Sequence, residues 1–513
     1  MKQMGMIDRR AFIMGTLGVT GTAAMAGIAG CAPKAPAQNP TDLADTAATS
    51  TTLPSIDESQ ISETIECDIL VCGAGAAGLS AAAAAAEEGA RVVCLEKCET
   101  SCAGGFNYGF INCRYLLDAG APRSDENALF EAITQAHMGG ANPKLVRRFI
   151  DANPTVGDWH VSVANETGVA YHLAPLDGVS VTNFDDAYKM LAEHTVKNGG
   201  ELRYSTSVVQ LNTDENGAIT GAVAETGDGT YIRFNTTKGV ILATGGIGGN
   251  PDLIREYMPW LDPDTLLDAE PNSSQGGEDG DAIPLTKAIG ACIGEGMFSE
   301  QIHFLHGYWP KPGVLFVDKS GDRIPDNATH CDLNEIRIHE IMRRPGHSSW
   351  AITDSKDGWV EFVNPQAAVK PDYEGVRATN FATLDEVAEN FGLDAEGLKA
   401  TIEGWNAMVE AGEDPYYGTD LSAAMKIDTP PFHCVEAKGC TMSLMGGPLI
   451  DSQFRVVDES YAPIRGLYAV GNCCAGFWGP DYIMSVWAGM NKSWAAVSGY
   501  LAAKDIVGAQ LDL

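Results

Sequence analysis

Basic residues are scarce in this chain: 34 Lys and Arg stand against 68 Asp and Glu in 513 residues, a formal charge of −34 at pH 7. That deficit argues against nucleic acid and anionic membrane surfaces as partners, and it favours either a basic protein partner or nothing beyond solubility. No CxxCH occurs, so no c-type haem is attached to the chain. No second GxGxxG unit follows the one described below. The 13 cysteines lack the spacing of a disulfide scaffold. Cys94, Cys98, Cys102 and Cys113 come nearest to an iron–sulfur set, but their spacing matches no common cluster pattern. The question of a cluster stays open, and no metal ligands are assigned.

What is present is concentrated between Glu66 and Lys97, ECDILVCGAGAAGLSAAAAAAEEGARVVCLEK, which reads as strand, glycine turn, helix, strand and terminal acid. Ile69 to Cys72 and Val92 to Leu95 are buried strands, and Leu79 to Glu88 is an alanine-rich helix. Gly73 permits the tight turn, Gly75 lets backbone N–H groups approach a pyrophosphate, and Gly78 lets the helix lie close to the sheet. Ala74, Ala76 and Ala77 complete that turn, and Glu96, followed by Lys97, ends the second strand, where a carboxylate accepts hydrogen bonds from a ribose diol. An adenine dinucleotide is expected here.

The first 31 residues read as an address. Asp8-Arg9-Arg10-Ala11-Phe12-Ile13 resembles a twin-arginine export signal, Ile13 to Ala29 its apolar region, and Ile28-Ala29-Gly30-Cys31 a lipoprotein cleavage box. The alternative is an uncleaved anchor, although the segment is glycine-rich and shorter than the ~20 residues of a span. The expected location is the outer face of the cell membrane, or the periplasm. Residues 32–62 are rich in Pro, Ala, Thr and Asp and read as a disordered tether.

Beyond the opening unit, residues 142–200 read as mostly helical. Leu202 to Leu211, Ala218 to Glu225 and Thr230 to Asn235 read as a β-meander, and KGVILATGGIGGN at 238–250 as a buried strand ending in glycines. Residues 297–431 change character, with fewer glycines, more aromatics and a helical run from Thr383 to Gly412, so they form a candidate second domain. GLYAVG at 466–471 resumes the strand pattern, with a helix from about Ser485 to Ala503. The expected organisation is signal peptide 1–31, linker 32–62, nucleotide-binding domain 63–296 and 432–513, and capping domain 297–431.

Taken in order, these stretches resemble the flavoprotein superfamily of fumarate reductase and succinate dehydrogenase, including its 3-ketosteroid dehydrogenase and urocanate reductase branches. The resemblance runs from about Glu66 to Ala503 and rests on the opening fingerprint, Gly104-Gly105, KGVILATGG, Gly280-Asp281-Ala282, Ser320-Gly321-Asp322-Arg323 and GLYAVGN. It implies an α/β fold, a Rossmann-like FAD-binding domain with an inserted α+β capping domain. FAD is the implied cofactor, and Val209, Ala243, Thr244, Gly245, Asp281, Gly471, Asn472, Ser485 and Val486 join Gly104, Gly105 and the opening residues in its site. Electrons would come from an external donor, a cytochrome or FMN-binding protein.

In that superfamily hydride moves between flavin N5 and one carbon of a C=C bond while an acid exchanges a proton at its neighbour. The resemblance puts Arg323 in the acid's place; an arginine is locked in its protonated state, so it donates only if re-protonated at once, and a surface-turn arginine is the alternative. His303 falls where a substrate-binding histidine is placed, a core histidine being the alternative. Met442-Ser443-Leu444-Met445 stands before Gly446-Gly447 where dicarboxylate reductases carry a histidine, and Gly479-Pro480-Asp481-Tyr482 where they carry an arginine. The clamp for two carboxylates is therefore expected to be absent. Tyr482 resembles the tyrosine of ketosteroid dehydrogenases, as proton donor or as aromatic wall. The leading expectation is reduction of an activated C=C bond in a small molecule bulkier than fumarate. The alternative is a ketosteroid-dehydrogenase-like enzyme that introduces a C=C bond beside a ketone.

Overall fold

A computed structural model describes residues 56–101, 107–137, 140–176, 179–268, 277–304, 313–324, 340–356, 377–437, 439–479, 482 and 486–509. The leader, Cys31, Gly104, Gly105 and Ser485 lie outside these residues. The opening unit is β1 (Ile61–Cys72), α1 (Ala76–Glu87) and β2 (Val92–Leu95). β3 (Asn107–Tyr108), α2 (Arg114–Asp118), α3 (Glu126–Ala136) and α4 (Pro143–Thr167) follow, then the hairpin β4 (Tyr171–Leu176) and β5 (Val179–Phe184), and α5 (Ala187–Lys197). Next come β6 (Glu201–Arg203), β7 (Thr206–Thr213), β8 (Ile219–Thr226), β9 (Tyr231–Leu242), α6 (Pro251–Tyr257), β10 (Leu267–Asp268) and α7 (Ala282–Lys287). The second half holds β11 (Ser299–Phe304), β12 (Leu315–Val317), β13 (Arg323–Ile324), β14 (Ser349–Thr353), β15 (Arg377–Phe381), α8 (Leu384–Phe391) and α9 (Ala395–Ala411). It closes with β16 (Phe432–Ala437), β17 (Gly439–Met445), β18 (Arg455–Val457), β19 (Pro463–Ala469) and α10 (Met490–Val507).

The main sheet runs β18-β19-β9-β1-β2-β6, with β7 and β8 attached beside β9. β19, β9, β1, β2 and β6 are parallel, and the register pairs Cys72 with Leu95 and Leu242, and Leu242 with Ala469. The carboxyl ends of strands from both termini of the chain therefore lie side by side, which is where an open parallel sheet binds its ligand. A second, antiparallel sheet runs β13-β12-β14-β16-β15, and α8 and α9 cover it through Val387, Leu398, Ile402 and Trp405. A small sheet, β10-β17-β11, carries residues 299–304 and 439–445.

The meander and the following apolar run were expected as separate strands, but β9 is continuous from Tyr231 to Leu242. Gly239 makes this possible: at φ +146° its missing side chain leaves room for the backbone of Gly466, whose carbonyl oxygen would lie 2.3 Å from a Cβ. The helical run from Thr383 to Gly412 is two helices, because Gly392 takes a left-handed φ of +66° and Asp394 caps a new start at Gly397. The span 142–200 is also less helical than its composition suggests. The β4–β5 hairpin interrupts it.

α1 and α10 are the buried centre of the larger layer. Leu79 to Ala86 of α1 are almost without exposure, so no amphipathic stripe is needed. α10 lies so close that a Cβ on Gly499 would sit 2.1 Å from the Ala77 carbonyl oxygen. Gly499→Val is expected to destabilise the protein by roughly 1–3 kcal/mol through overpacking, read as a lowered urea midpoint, with loss of any ligand held at the start of α1.

Candidate active site

The opening turn builds an anion cradle from backbone. Gly73 sits at φ +109°, and a Cβ there would lie 2.3 Å from the Ala243 carbonyl oxygen; one on Gly78 would lie 1.8 Å from that of Gly73. α1 then begins at Gly75 with no side-chain cap and no acid in its first turn. Its first N–H groups, from Ala76, Ala77 and Gly78, thus have no helical acceptor and favour a negative group. Glu96 ends β2, 7 % exposed, and accepts from the Ala74 N–H at 2.8 Å and the Cys98 N–H at 3.0 Å, so its carboxylate is fixed beside the turn.

Val209 occupies a break in the β7–β8 register, which pairs Val208 with Ala224 and then Gln210 with Val223. A bulged residue has backbone groups outside the ladder, available to a planar heterocycle. Lys97 donates to Asp279 at 2.7 Å and Asp281 at 2.9 Å. Burial works against its charge, but Asp281 and Asp279 outweigh it and raise its pKa. Ala243 and Thr244 are buried, Gly245 turns at φ +76°, and Val486 packs against the core. Gly471, at φ +69°, donates to Ser498 Oγ at 3.0 Å, which ties β19 to α10.

A polar cluster stands beyond the ends of β9 and β19. Asn472 Nδ2 donates to Ser443 Oγ at 2.8 Å, and Ser443 Oγ donates to Glu278 Oε1 at 3.1 Å. Asn472 Oδ1 is buried without a hydrogen-bond partner, an acceptor awaiting an N–H from a ligand. Asn491 Nδ2 donates to Gln301 Oε1 at 2.8 Å, and Lys492 Nζ to the Tyr188 hydroxyl at 2.7 Å. Burial pushes the Glu278 carboxyl up to about 7, against the lowering effect of Ser443 and Lys492. Burial pushes the Lys492 ammonium down to about 8, against the pull of Glu278.

The glycine cradle, the Val209 bulge and the unpartnered Asn472 oxygen fit FAD. The family of proteins described as FAD binding domain matches residues 68–481. The chain belongs to this FAD-binding family. It is an FAD-dependent oxidoreductase, similar to fumarate reductases. NADH:fumarate oxidoreductase of Klebsiella pneumoniae is 26% identical over 81% of the chain, which spans 45% of that protein. Vinyl phenol reductase of Lactiplantibacillus plantarum is 25% identical over 81% of the chain and 91% of its own length, and urocanate reductase of Eggerthella lenta 26% identical over 80% and 70%. Among solved structures, 3-ketosteroid Δ1-dehydrogenase from Sterolibacterium denitrificans matches with TM-score 0.67 and 18% identity, covering 87% of the chain and all of the other. The open conformation of a flavocytochrome c3 fumarate reductase matches with TM-score 0.65 and 22% identity, covering 88% and 80%.

The residues expected to carry the flavoprotein's chemistry fall in different places. Arg323 is not in the polar cluster. On β13 it pairs with Asp414 at 2.9 Å, donates to Thr419 Oγ1 at 2.9 Å, and lies 5.1 Å from the Trp405 ring and 5.4 Å from the Tyr417 ring. Burial opposes the Asp414 carboxylate, but Arg323, Thr419 and two backbone N–H groups hold it well below the usual carboxylate range. Donating a proton would leave that carboxylate uncompensated, so the contacts of Arg323 in this fold are those of a structural ion pair. His303 is placed by its backbone, opposite Cys440 in the β11–β17 register. Tyr482 is buried, its ring 5.3 Å from that of Trp478.

The sequence reading missed Glu278, Lys492, Asn491 and Tyr188, because nothing local marks them. Among the described residues no group of three or more His, Cys, Asp and Glu side chains could hold a metal, and burial raises the thiols of Cys94 and Cys113. No helix among them is long and apolar enough to cross a membrane.

Two outcomes are expected. Gly73→Val purifies without flavin absorbance, since strain and the Ala243 carbonyl both oppose it. Arg323→Ala costs about 3–5 kcal/mol in a denaturant titration, while the folded fraction turns over normally. A folded, flavin-loaded but inactive Arg323→Ala would restore the arginine as the acid.

Proposed function

We propose that this flavoprotein reduces a carbon–carbon double bond conjugated to a carbonyl or carboxyl group, on a substrate bulkier and less charged than fumarate. One observation carries the reading: beyond β9 and β19, the charge of Lys492 is coupled to that of an acid, Glu278. A dianion would meet a balanced pair and no bidentate clamp, whereas an enone or aryl acrylate needs a hydrogen-bond donor and an apolar wall. Asn491 and Lys492 are such donors, and Trp478 and Trp487 bring buried aromatic surface. The relatives named for urocanate and vinyl phenol support this substrate class. FAD bound in the cradle supplies the hydride. Residues 297–431 act as the cap over the cleft, and electrons arrive from a cytochrome or FMN-binding partner.

The test is photometric: with dithionite-reduced methyl viologen as donor, at least one member of a panel of enones and aryl acrylates should oxidise the dye, and fumarate should not. If no member does, the reading fails. The fold shared with ketosteroid dehydrogenases and the buried Tyr482 favour a second reading, oxidation beside a ketone. Reduction of bound FAD by saturated ketones, without alkene-dependent dye oxidation, would select it.

Export by the twin-arginine route and lipid attachment at Cys31 complete the proposal. Arg9→Lys with Arg10→Lys should strand the holoprotein in the cytoplasm, and Cys31→Ala should free it from the membrane fraction. An unchanged distribution in both variants would remove the address.

A further inference from the structure

Resting on that reading, we propose that Lys492 gives up the proton that completes the reduction, that Tyr188 positions its ammonium, and that Glu278 on the facing wall recharges it. The placement of the lysine is the first reason. Lys492 is the third residue of α10, where the N–H groups of the helix start make a positive end, so a cation there is disfavoured by the dipole as well as by burial. A lysine held at such a cost, with an interaction to one phenol, is a group kept for its proton.

The walls give the second reason. Lys492, Glu278 and Tyr188 are each enclosed by protein, yet each keeps partial accessibility. They lie near the carboxyl ends of β9 and β19, where Gly246 and Asn472 are against Glu278 and Ser443. Lys492 and Glu278 are coupled by charge but form no direct ion pair, so neither is neutralised by contact with the other.

Direction of donation gives the third. Glu278 is an acceptor, taking hydrogen bonds from Ser443, Gly246 and Asn472. The Tyr188 phenol accepts from Lys492, and burial holds its pKa well above the ordinary value. Arg323 is committed to Asp414. Among these groups Lys492 alone has N–H donors to spare and an acidity close to neutral, which suits a general acid.

A hydride, carrying two electrons from the reduced flavin, bonds to one alkene carbon; the π pair takes the proton from Lys492 Nζ at the neighbouring carbon. The product is saturated and Lys492 is left neutral; once the product leaves, water entering between the two groups passes it a proton from the Glu278 carboxyl, itself re-protonated from solvent. The flavin, now oxidised, is reduced again by the electron donor.

Few other charges face the lysine. From the segment before α7 comes Glu278; from α5 comes Tyr188, itself coupled to Asp186 at the cap of that helix and to Tyr108 of β3, against which His160 of α4 packs, its imidazole pushed down to about 4 by burial. Gln301 of β11 and Asn491 are neutral. Glu88 and Arg148 pair with Lys504 and Asp505 at the other end of α10. The alkaline side of the pH profile should therefore report Lys492: the acid is charged and active at lower pH and is lost as pH rises through about 8.

The test uses the FAD-loaded enzyme with a substrate from the dye assay. Wild type should lose rate above pH about 8. Lys492→Met should keep stoichiometric flavin and its reduction by dithionite, yet reoxidise with alkene about 100-fold or more slowly, with no alkaline limb. Lys492→Arg, which stays charged, decides the matter if the methionine variant loses its flavin: its slow turnover should show no alkaline limb. Tyr188→Phe should turn over with the limb displaced, as a positioning residue requires. Independently of turnover, competitive acetylation read by mass spectrometry should find Lys492 titrating near 8 and not near 10.5. Lys492→Met within a few-fold of wild type, or an alkaline limb that survives Lys492→Arg, would overturn this inference and leave the proposed function standing. A wild type inert to every alkene would remove both.

Discussion

Backbone against backbone is the contact on which this protein depends. Gly73 places its own carbonyl under Gly78 and leaves room for that of Ala243, while Gly499 lets α10 descend onto Ala77. No side chain larger than hydrogen fits at these points, and the consequence is geometric: the start of α1 is pressed against the middle of α10, where Gly499 meets Ala77, beside the carboxyl ends of β1, β9 and β19. Loss of a hydrogen-sized gap would separate the two helices, which makes the alanine-rich composition of α1 a requirement of the site as much as of the core.

Buried charge is used in two opposite ways. Arg323 and Asp414 are in contact, their other hydrogen-bonding positions are occupied by Thr419 and backbone N–H groups, and aromatic rings close over the guanidinium. Such a pair holds β13 to the segment after α9 and has no proton to offer. Glu278 and Lys492 are coupled without contact, each bonded to neutral hydroxyls, each with its pKa drawn toward the middle of the scale. Separation keeps them chemically available, because neither neutralises the other and burial then acts on each directly. Among ionisable residues in one fold, distance between partners divides the structural from the reactive.

The parts of this arrangement that were legible in the sequence are those written in contiguous residues. The β1–α1–β2 unit, KGVILATGG and GLYAVGN each carry their signal in glycines flanked by apolar runs, and each occupies the sheet position its pattern implies. Asn472 was found for that reason, riding on a legible strand. Glu278 and Lys492 were not, because they are separated by more than 200 residues and their meaning depends on burial, which a one-dimensional pattern does not contain. Arg323 shows the converse: a short local match indicates a role, while the residue that holds its guanidinium, Asp414, lies far outside that match. The β4–β5 hairpin was missed on similar grounds, since its pairing of Tyr171 with Phe184 is an interaction between strands and only weakly a property of either.

Ser443 shows how substrate choice follows from these constraints. It belongs to Met442-Ser443-Leu444-Met445, the stretch before Gly446-Gly447 in which the resemblance to dicarboxylate reductases calls for a histidine, and it links Asn472 to Glu278 by accepting from one and donating to the other. A protonated imidazole there would form an ion pair with Glu278 and hold it as a carboxylate, cutting its exchange of protons with Lys492. A neutral hydroxyl leaves the Glu278 carboxyl free to rise to about 7. Removing the cation thus gives up a grip on a substrate carboxylate and in return leaves a carboxyl that can take up and release protons near neutral pH. On the proposed reading, a hydroxyl at Ser443 leaves Glu278 without a cationic partner there, which weakens the grip on a dianion and keeps the carboxyl able to return a proton to Lys492.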